Sequence, residues 1–135
     1  MAKKPKITAL KKQLDKIFGQ YIKLRDADQN GMLRCITCSK LVHWKEAHCG
    51  HFVRRRHLAV RWDERNCHGQ CCYCNTFLDG NEAEYFIALE DKLGREVVDE
   101  LMQAKHQTVK LNRSFYDEMI EKYKTKIKIH GIPAN

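Results

Sequence analysis

Apolar side chains recur at helical spacing in the first part of the chain. Between residues 7 and 25, Lys and Asp separate the apolar positions Ile7, Leu10, Leu14, Ile17, Phe18, Tyr21, Ile22 and Leu24. Steps of three or four residues place such positions on one face of an α-helix. The pattern therefore predicts an amphipathic N-terminal helix over 7–25, which ends at the turn-forming segment Asp26–Gly31.

The C-terminal part, residues 81–130, carries three further apolar stripes. They consist of Tyr85, Phe86, Leu89 and Leu93; of Val97, Val98, Leu101 and Met102; and of Phe115, Met119, Ile120, Tyr123 and Ile127. Asn81 and Glu84 resemble a capping box at the start of the first stripe, and Gly94 ends it. We predict three helices whose apolar faces pack in the core.

The middle segment, residues 32–80, has only short apolar runs. Met32-Leu33 and Leu41-Val42 flank a Cys-x-x-Cys motif, which predicts a small β-hairpin, and a helix is expected to begin near Gln70. The predicted fold class is α+β. We expect a single domain over 1–135, in which 32–80 forms a hairpin-and-helix core between the N-terminal helix and the C-terminal helices.

The charge of the chain indicates its partners. The 135 residues carry a formal net charge of +8, and the pI is near 9.2. Lys and Arg release counterions from phosphates, so this charge favours a nucleic acid. No apolar run approaches the roughly 20 residues that span a membrane, and no signal-peptide pattern follows the basic N-terminus. We expect a cytoplasmic protein with no membrane contact.

All seven cysteines lie between Cys35 and Cys74. An odd number without an export signal argues against a disulfide framework and for metal binding. Two Cys-x-x-Cys pairs predict one closed, tetrahedral, structural Zn2+ site made of Cys35, Cys38, Cys71 and Cys74. The other three cysteines are then expected to be free and buried: Cys49, Cys67 and Cys72.

The segment after the first helix matches half of a calcium-binding loop. Asp26, Asp28, Asn30 and Gly31 have the spacing of an EF-hand, but the position that requires a bidentate Glu is Thr37. We therefore predict a turn stabilised by Asp and Asn side chains, without calcium.

Histidines and asparagines lie between and beside the cysteine pairs in a recognisable order. The pattern is Gly50-His51-Phe52, Arg65-Asn66, Gln70-Cys71, Cys74-Asn75, Gly80-Asn81 and Tyr85. It resembles the NinG (Rap) family of phage recombination proteins, whose lambdoid members are described as branched-DNA endonucleases, over about residues 35–100. The resemblance implies a treble-clef (ββα-metal) zinc core of the HNH type. It also implies hydrolysis of DNA phosphodiester bonds in Holliday junctions or D-loops, within the bacterial host cell.

The resemblance also implies roles for three residues. His51 would be the general base that deprotonates the attacking water, which suits an imidazole. Asn66 would hold either the backbone or the imidazole of His51. Asn75 would offer an oxygen to a catalytic Mg2+ or Mn2+ ion, distinct from the structural zinc.

One position departs from the family pattern. Many HNH enzymes have an Asp metal ligand directly before the general base, and this chain has Gly50 there. His48 is one candidate for the missing ligand, and Asp63 or Asp79 are the others.

A basic segment follows the predicted base. It consists of Arg54, Arg55 and Arg56, extended by Arg61 and Arg65. We expect these side chains to contact DNA phosphates. Symmetric cutting of a four-way junction requires two active sites, which would call for a homodimer.

Two other functions fit the same sequence. The first alternative is a non-catalytic, zinc-stabilised nucleic-acid-binding module, which needs the four cysteines and the basic face but not His51 or Asn75. The second is a zinc-stabilised interaction protein that recruits recombination partners. RNA remains open as the nucleic acid in place of DNA.

Overall fold

A computed structural model describes residues 3–134. The elements in chain order are α1 (Ile7–Asp26), β1 (Met32–Arg34), β2 (Leu41–His43), β3 (His48–His51), α2 (Leu58–Arg61), a 3-10 turn (Glu64–Asn66), β4 (Cys67–Gln70), a π-helical turn (Tyr73–Phe77), α3 (Glu82–Leu93), α4 (Arg95–Ala104) and α5 (Arg113–His130). Helices combine with small antiparallel sheets, so the predicted α+β class is confirmed.

Helices α1 and α5 pack against each other through the apolar stripes that the sequence predicts. Leu14 and Ile22 are completely buried, and the ring of Phe18 meets that of Tyr123 edge-on at 4.9 Å between centroids. The same face of α1 also covers the buried Cys67 of β4. Helix α1, which packs on α5, therefore supports strands β3 and β4.

The four strands form two separate antiparallel pairs. In one pair, Leu33 of β1 lies opposite Val42 of β2. In the other, β3 pairs with β4 although α2 and the 3-10 turn lie between them in the chain. A Cβ on Gly69 would lie 2.9 Å from the side chain of Leu33, so β1 and β4 approach closely at this glycine.

The helix predicted to begin near Gln70 is present as a short π-helical turn, but Gln70 itself is not part of it. Gln70 is the last residue of β4, where it pairs with His48, and the π-helical turn begins at Tyr73. The reason is tertiary, because the buried Gln70 amide donates hydrogen bonds to the Thr37 hydroxyl and the Gly80 carbonyl. These contacts hold Gln70 in the extended strand.

Helices α3 and α4 form a second core with Phe52, Val53 and Val60. Gly94 ends α3 with φ +90°, as predicted. Asn81 is the N-cap residue of α3, as predicted, but the capping-box hydrogen bond is absent. Asn81 has left-handed φ and ψ of 49° and 53° and makes no capping hydrogen bond. Its side-chain amide instead donates to the sulfur of Cys74 at 3.6 Å.

The segment that resembles a calcium loop is a side-chain-stabilised turn. One Asp28 carboxylate oxygen accepts the backbone N–H of Asn30 at 2.8 Å and that of Met32 at 3.0 Å. This confirms the predicted turn. Across residues 3–134, no helix has the length and apolar character that crossing a bilayer would demand.

Candidate functional site

Two short turns bring the predicted zinc ligands together. The ligand atoms of Cys35, Cys38, Cys71 and Cys74 all lie within 4.8 Å of one another. The Cys38 and Cys71 sulfurs are 3.7 Å apart. Zn–S bonds of about 2.3 Å in a tetrahedron require sulfurs about 3.8 Å apart. The four cysteines could therefore hold a metal ion such as zinc.

Backbone hydrogen bonds dock the first cysteine pair on the second sheet. Ile36 donates to the Gly69 carbonyl at 3.0 Å, which ties the turn after β1 to β4. Ser39 has φ +65° and donates to the Cys35 carbonyl at 2.8 Å, so the chain reverses within the motif. The second pair follows β4 directly, and the two turns therefore face each other.

Hydrogen-bond donors surround the sulfurs. The Thr37 hydroxyl lies 3.2 Å from the Cys35 sulfur, and the Cys74 amide donates to the Cys71 sulfur at 3.4 Å. Burial raises the pKa of Cys35, but the Thr37 hydroxyl and nearby amides outweigh burial and lower it to about 6. Burial raises the pKa of Cys38 to about 12, with neighbouring thiols contributing. A divalent ion would stabilise all four thiolates, so the donor set fits zinc.

The remaining cysteines differ in exposure. Cys67 is completely buried, as predicted, and Cys49 is half-buried. Cys72 is exposed, so its predicted burial is wrong. The turn that buries Cys71 and Cys74 leaves the residues between them in solvent, which explains the exposure of Cys72.

A cleft of about 110 Å³ lies beside the cysteine cluster. Its polar lining consists of His51, Arg54, Arg55, Asn75, Asp79 and Glu82. The structure thus brings together two of the predicted catalytic residues, His51 and Asn75, with the alternative ligand Asp79. Asn66, His48 and Asp63 do not line this cleft.

The surroundings of His51 define its tautomer. Its Nε2 lies 2.9 Å from the Arg61 carbonyl oxygen, which can only accept a hydrogen bond. Nε2 therefore carries the proton, and in the neutral ring the free lone pair is on Nδ1. Burial lowers the pKa of His51 and outweighs the opposing effect of the carbonyl. The ring is therefore neutral at pH 7 and able to accept a proton.

Asn66 is completely buried, and the hydrogen bonds of its side chain go to backbone groups. Its side-chain oxygen accepts the Val53 N–H at 2.8 Å, and its amide donates to the carbonyls of Val53 and Val60 at 3.0 and 3.1 Å. Of the two contacts predicted for Asn66, the structure shows the one to the backbone. Asn66 holds the segment that follows His51.

His48 and Asn75 are neighbours, with His48 Nδ1 3.0 Å from the Asn75 amide. Rotation of the Asn75 side-chain amide by 180° exchanges its oxygen and its nitrogen. The amide oxygen can therefore occupy the position beside His48 instead of the nitrogen. Asp79 forms a two-pronged ion pair with Arg54 at 2.9 and 3.1 Å. Asp63 instead accepts the backbone N–H of Arg65 and caps the 3-10 turn.

Two of the five arginines of the basic segment converge on one carboxylate that the sequence analysis missed. Asp15 of α1 pairs with Arg61 and Arg55 and accepts the indole N–H of Trp62 at 3.0 Å. The Arg61 side chain is only 13% exposed. One signal was available, because Asp15 is the single acidic residue between positions 7 and 25.

The other arginines lie apart. Arg65 pairs with Asp63 and with Glu100 of α4, away from the cleft. Arg56 donates to His57 at 3.3 Å and has no carboxylate partner within residues 3–134. Arg54 and Arg55 are therefore the arginines of the predicted set that border the cleft.

The fold and the cysteine cluster define a small α+β protein with a candidate zinc site. A family model described as "Bacteriophage Lambda NinG protein" matches residues 1–130, and the chain belongs to that family. "Protein ninG" of Escherichia phage 933W is 36% identical over 92 residues, and those of Escherichia phage lambda and Salmonella phage P22 are 35% identical over 92 residues. Each match covers 67% of this chain and 42–43% of the relative, so the match spans less than half of each relative. No solved structure matches the chain.

Proposed function

We propose that this NinG-family chain is a metal-dependent HNH endonuclease that hydrolyses phosphodiester bonds in branched DNA, such as Holliday junctions or D-loops. The observation that carries the proposal is the hydrogen bond from His51 Nε2 to the Arg61 carbonyl. It leaves Nδ1 as a proton acceptor on a residue that lines the same cleft as Asn75.

The chain supplies both the general base and a residue that positions it. His51 Nδ1 takes a proton from the water that attacks phosphorus, and the bond to the 3′ oxygen breaks. Asn66 acts as a positioning residue, because it holds the backbone of Val53 before α2 and of Val60 within α2, and so orients the Arg61 carbonyl against the His51 ring.

Oxygen and imidazole donors near the cleft suit a hard divalent ion. Asn75 with His48, and the carboxylates Asp79 and Glu82, would hold Mg2+ or Mn2+. Such an ion would stabilise the negative charge that develops on the phosphate and the leaving oxygen.

The order of the elements supports a treble-clef zinc core. Cys35 and Cys38 lie on the turn between β1 and β2, the β3–β4 hairpin follows, and Cys71 and Cys74 lie on the helical turn after it. Since Asn75 follows Cys74 directly, a structural zinc would also fix the position of Asn75.

Charge supports DNA as the substrate. Arg54 and Arg55 border the cleft, and Arg56 follows them on the same exposed segment. A phosphate could replace Asp79 or Asp15 as the partner of these guanidinium groups. The same proposal places the chain in the cytoplasm of a bacterial host, as a homodimer where a junction is cut symmetrically.

One observation favours the alternative, a zinc-stabilised module that binds nucleic acid without cutting it. Among residues 3–134, both groups of His, Cys, Asp or Glu close enough to share an ion contain cysteine, and neither contains a carboxylate. This is the donor set of a zinc protein rather than of a magnesium enzyme.

A cleavage assay separates the two functions. Zinc-loaded protein is incubated with labelled four-way junction, D-loop and linear duplex, in Mg2+, Mn2+ or EDTA. We expect metal-dependent cutting that His51→Ala lowers by at least about 100-fold. His106→Ala serves as the matched control, because His106 is exposed and does not line the cleft. Salt-sensitive binding of DNA by both variants without any cutting would establish the alternative instead.

A further inference from the structure

A second cluster of metal-binding side chains lies on the β3–β4 hairpin. The ligand atoms of Cys49, His51 and Cys67 all lie within 4.8 Å of one another. The cluster shares no residue with the four-cysteine site. All three side chains carry donors that Zn2+ prefers.

Strand geometry explains why these residues meet. Cys49 and His51 are two residues apart on β3, so they lie on the same face of the strand. Cys67 lies directly opposite His51 in the antiparallel register. This face packs on α1, where a Cβ on Gly19 would meet the Cys49 Cβ at 3.4 Å.

The Arg61 carbonyl contacts two members of the cluster, and His51 is the member that also lines the cleft. The Arg61 carbonyl oxygen lies 2.9 Å from His51 Nε2 and 3.8 Å from the Cys67 sulfur. Cys67 is completely buried, but Cys49 and His51 are half-buried, and His51 lines the cleft. An ion could therefore reach the cluster without unfolding of the hairpin.

We propose that Cys49, Cys67 and His51 form a second metal site that binds Zn2+ or a similar thiolate-preferring divalent ion, and that the bound ion inhibits cleavage. The binding part stands on the geometry of the cluster alone. The inhibitory part rests on the proposed function, because it requires His51 to be the general base.

The chemistry of such a site is that of an open zinc centre. Two thiolates and one imidazole bind the ion, and water completes the fourth position. Each thiol that binds gives its proton to solvent. Mg2+ and Mn2+ prefer oxygen ligands and would not compete here, so the activating and the inhibiting ions differ.

Capture of His51 by the ion blocks proton transfer through either ring nitrogen. If Nδ1 binds, its lone pair is no longer available to water. If Nε2 binds, it must give up its proton and the bond to the Arg61 carbonyl, and the neutral ring then carries its proton on Nδ1. In both cases the acceptor that cleavage needs is lost.

The test measures metal stoichiometry first. Protein already holding one equivalent of Zn2+ is titrated with Co2+, with total metal measured by elemental analysis. We expect a second equivalent with the thiolate-to-cobalt charge-transfer and tetrahedral d–d absorption bands. Cys49→Ala should weaken this second binding by at least about 100-fold, more than loss of an outer-shell contact does. Cys67→Ala, which removes the buried ligand of the cluster, should weaken the second binding in the same way.

The matched control is Cys72→Ser, because Cys72 is exposed and belongs to neither cluster. It should bind the second ion as the unaltered chain does. If total bound metal stays at one equivalent per chain throughout the titration, the proposal is overturned. A second equivalent that survives Cys49→Ala and Cys67→Ala but is lost in Cys72→Ser also overturns it.

A cleavage arm tests the inhibition. Excess Zn2+ over Mg2+ should stop cutting by the unaltered chain and by Cys72→Ser, while Cys49→Ala should need at least about tenfold more Zn2+. Equal sensitivity of Cys49→Ala and Cys72→Ser overturns the inhibitory role. If no variant cuts DNA under any condition, the endonuclease proposal fails, whereas the cobalt titration still decides whether the site exists.

Discussion

The buried side chain of Gln70 fills the space that a side chain on Gly50 would need. A Cβ built on Gly50 would lie 2.7 Å from the Gln70 Cγ and overlap its amide group. The Gln70 amide donates to Thr37 and to Gly80, so it cannot turn away without losing both hydrogen bonds. Because Gln70 occupies this space, a side chain at position 50 would collide with it. An aspartate directly before His51 would therefore not fit beside Gln70 in this chain.

The first prediction concerns this pair. Gly50→Ala should lower the free energy of unfolding by about 1–3 kcal/mol, because the core is overpacked there. In a Gln70→Ala background the same change should cost at least about 1 kcal/mol less. Urea unfolding of the two single variants and the double variant measures the coupling.

Gly19→Ala is the control for this cycle. A Cβ on Gly19 meets Cys49 only at an ordinary 3.4 Å, and alanine favours the helix α1. It should leave stability unchanged or raise it. Equal losses for Gly50→Ala in both backgrounds would show that Gln70 is not the obstacle.

The second prediction concerns the four-cysteine cluster. A chelator, or Cys71→Ser, should lower the melting temperature by at least about 10 °C, because bound zinc contributes directly to the folding free energy. Circular dichroism and zinc content are measured together. Cys72→Ser should melt within about 2 °C of the unaltered chain, since Cys72 is exposed and outside the cluster. A Cys71→Ser variant that melts normally would exclude a structural metal there.

The third prediction concerns His68 and pH. Burial lowers the pKa of His68 from 6.5 to about 4. Below pH 6.5 the unfolded chain therefore binds a proton that the folded chain does not. The folded state should lose stability as the pH falls from 6.5 towards 4, by on the order of 3 kcal/mol in total.

Chemical unfolding at a series of pH values measures this loss. His68→Gln should flatten the dependence, because it removes the titrating ring beside the Tyr85 hydroxyl. His106→Gln should leave the slope intact, since His106 is exposed. A slope that persists in His68→Gln would assign the loss to another group.

The fourth prediction concerns Asn66. Asn66→Ala should lower the free energy of unfolding by about 3 kcal/mol, because it leaves the buried N–H and carbonyl of Val53 unpaired and removes one of the hydrogen bonds to the Val60 carbonyl. Asn112→Ala removes a single hydrogen bond at the start of α5 and should cost only about 1 kcal/mol. If both variants lose the same amount in denaturant titrations, Asn66 does not hold the segment after β3.

The sequence by itself determined the long helices at both ends of the chain and the candidate zinc ligands. The apolar stripes of α1 and α5 follow from the 3.6-residue period of a helix, which depends only on neighbouring residues. The spacing of Cys35 with Cys38, and of Cys71 with Cys74, likewise limits each pair to one ion. Local geometry was sufficient for both.

Only the tertiary structure decided which distant groups meet. Asp15 binds Arg61 from 46 positions away, and Asn66 contacts the backbone of Val53 and Val60. The register of β3 against β4 sets Cys67 opposite His51 and so creates the second cluster. Such contacts depend on how α1 packs against α5 and against strands β3 and β4, because pairing between segments far apart in the chain is selected by the packing of the whole core rather than by local periodicity.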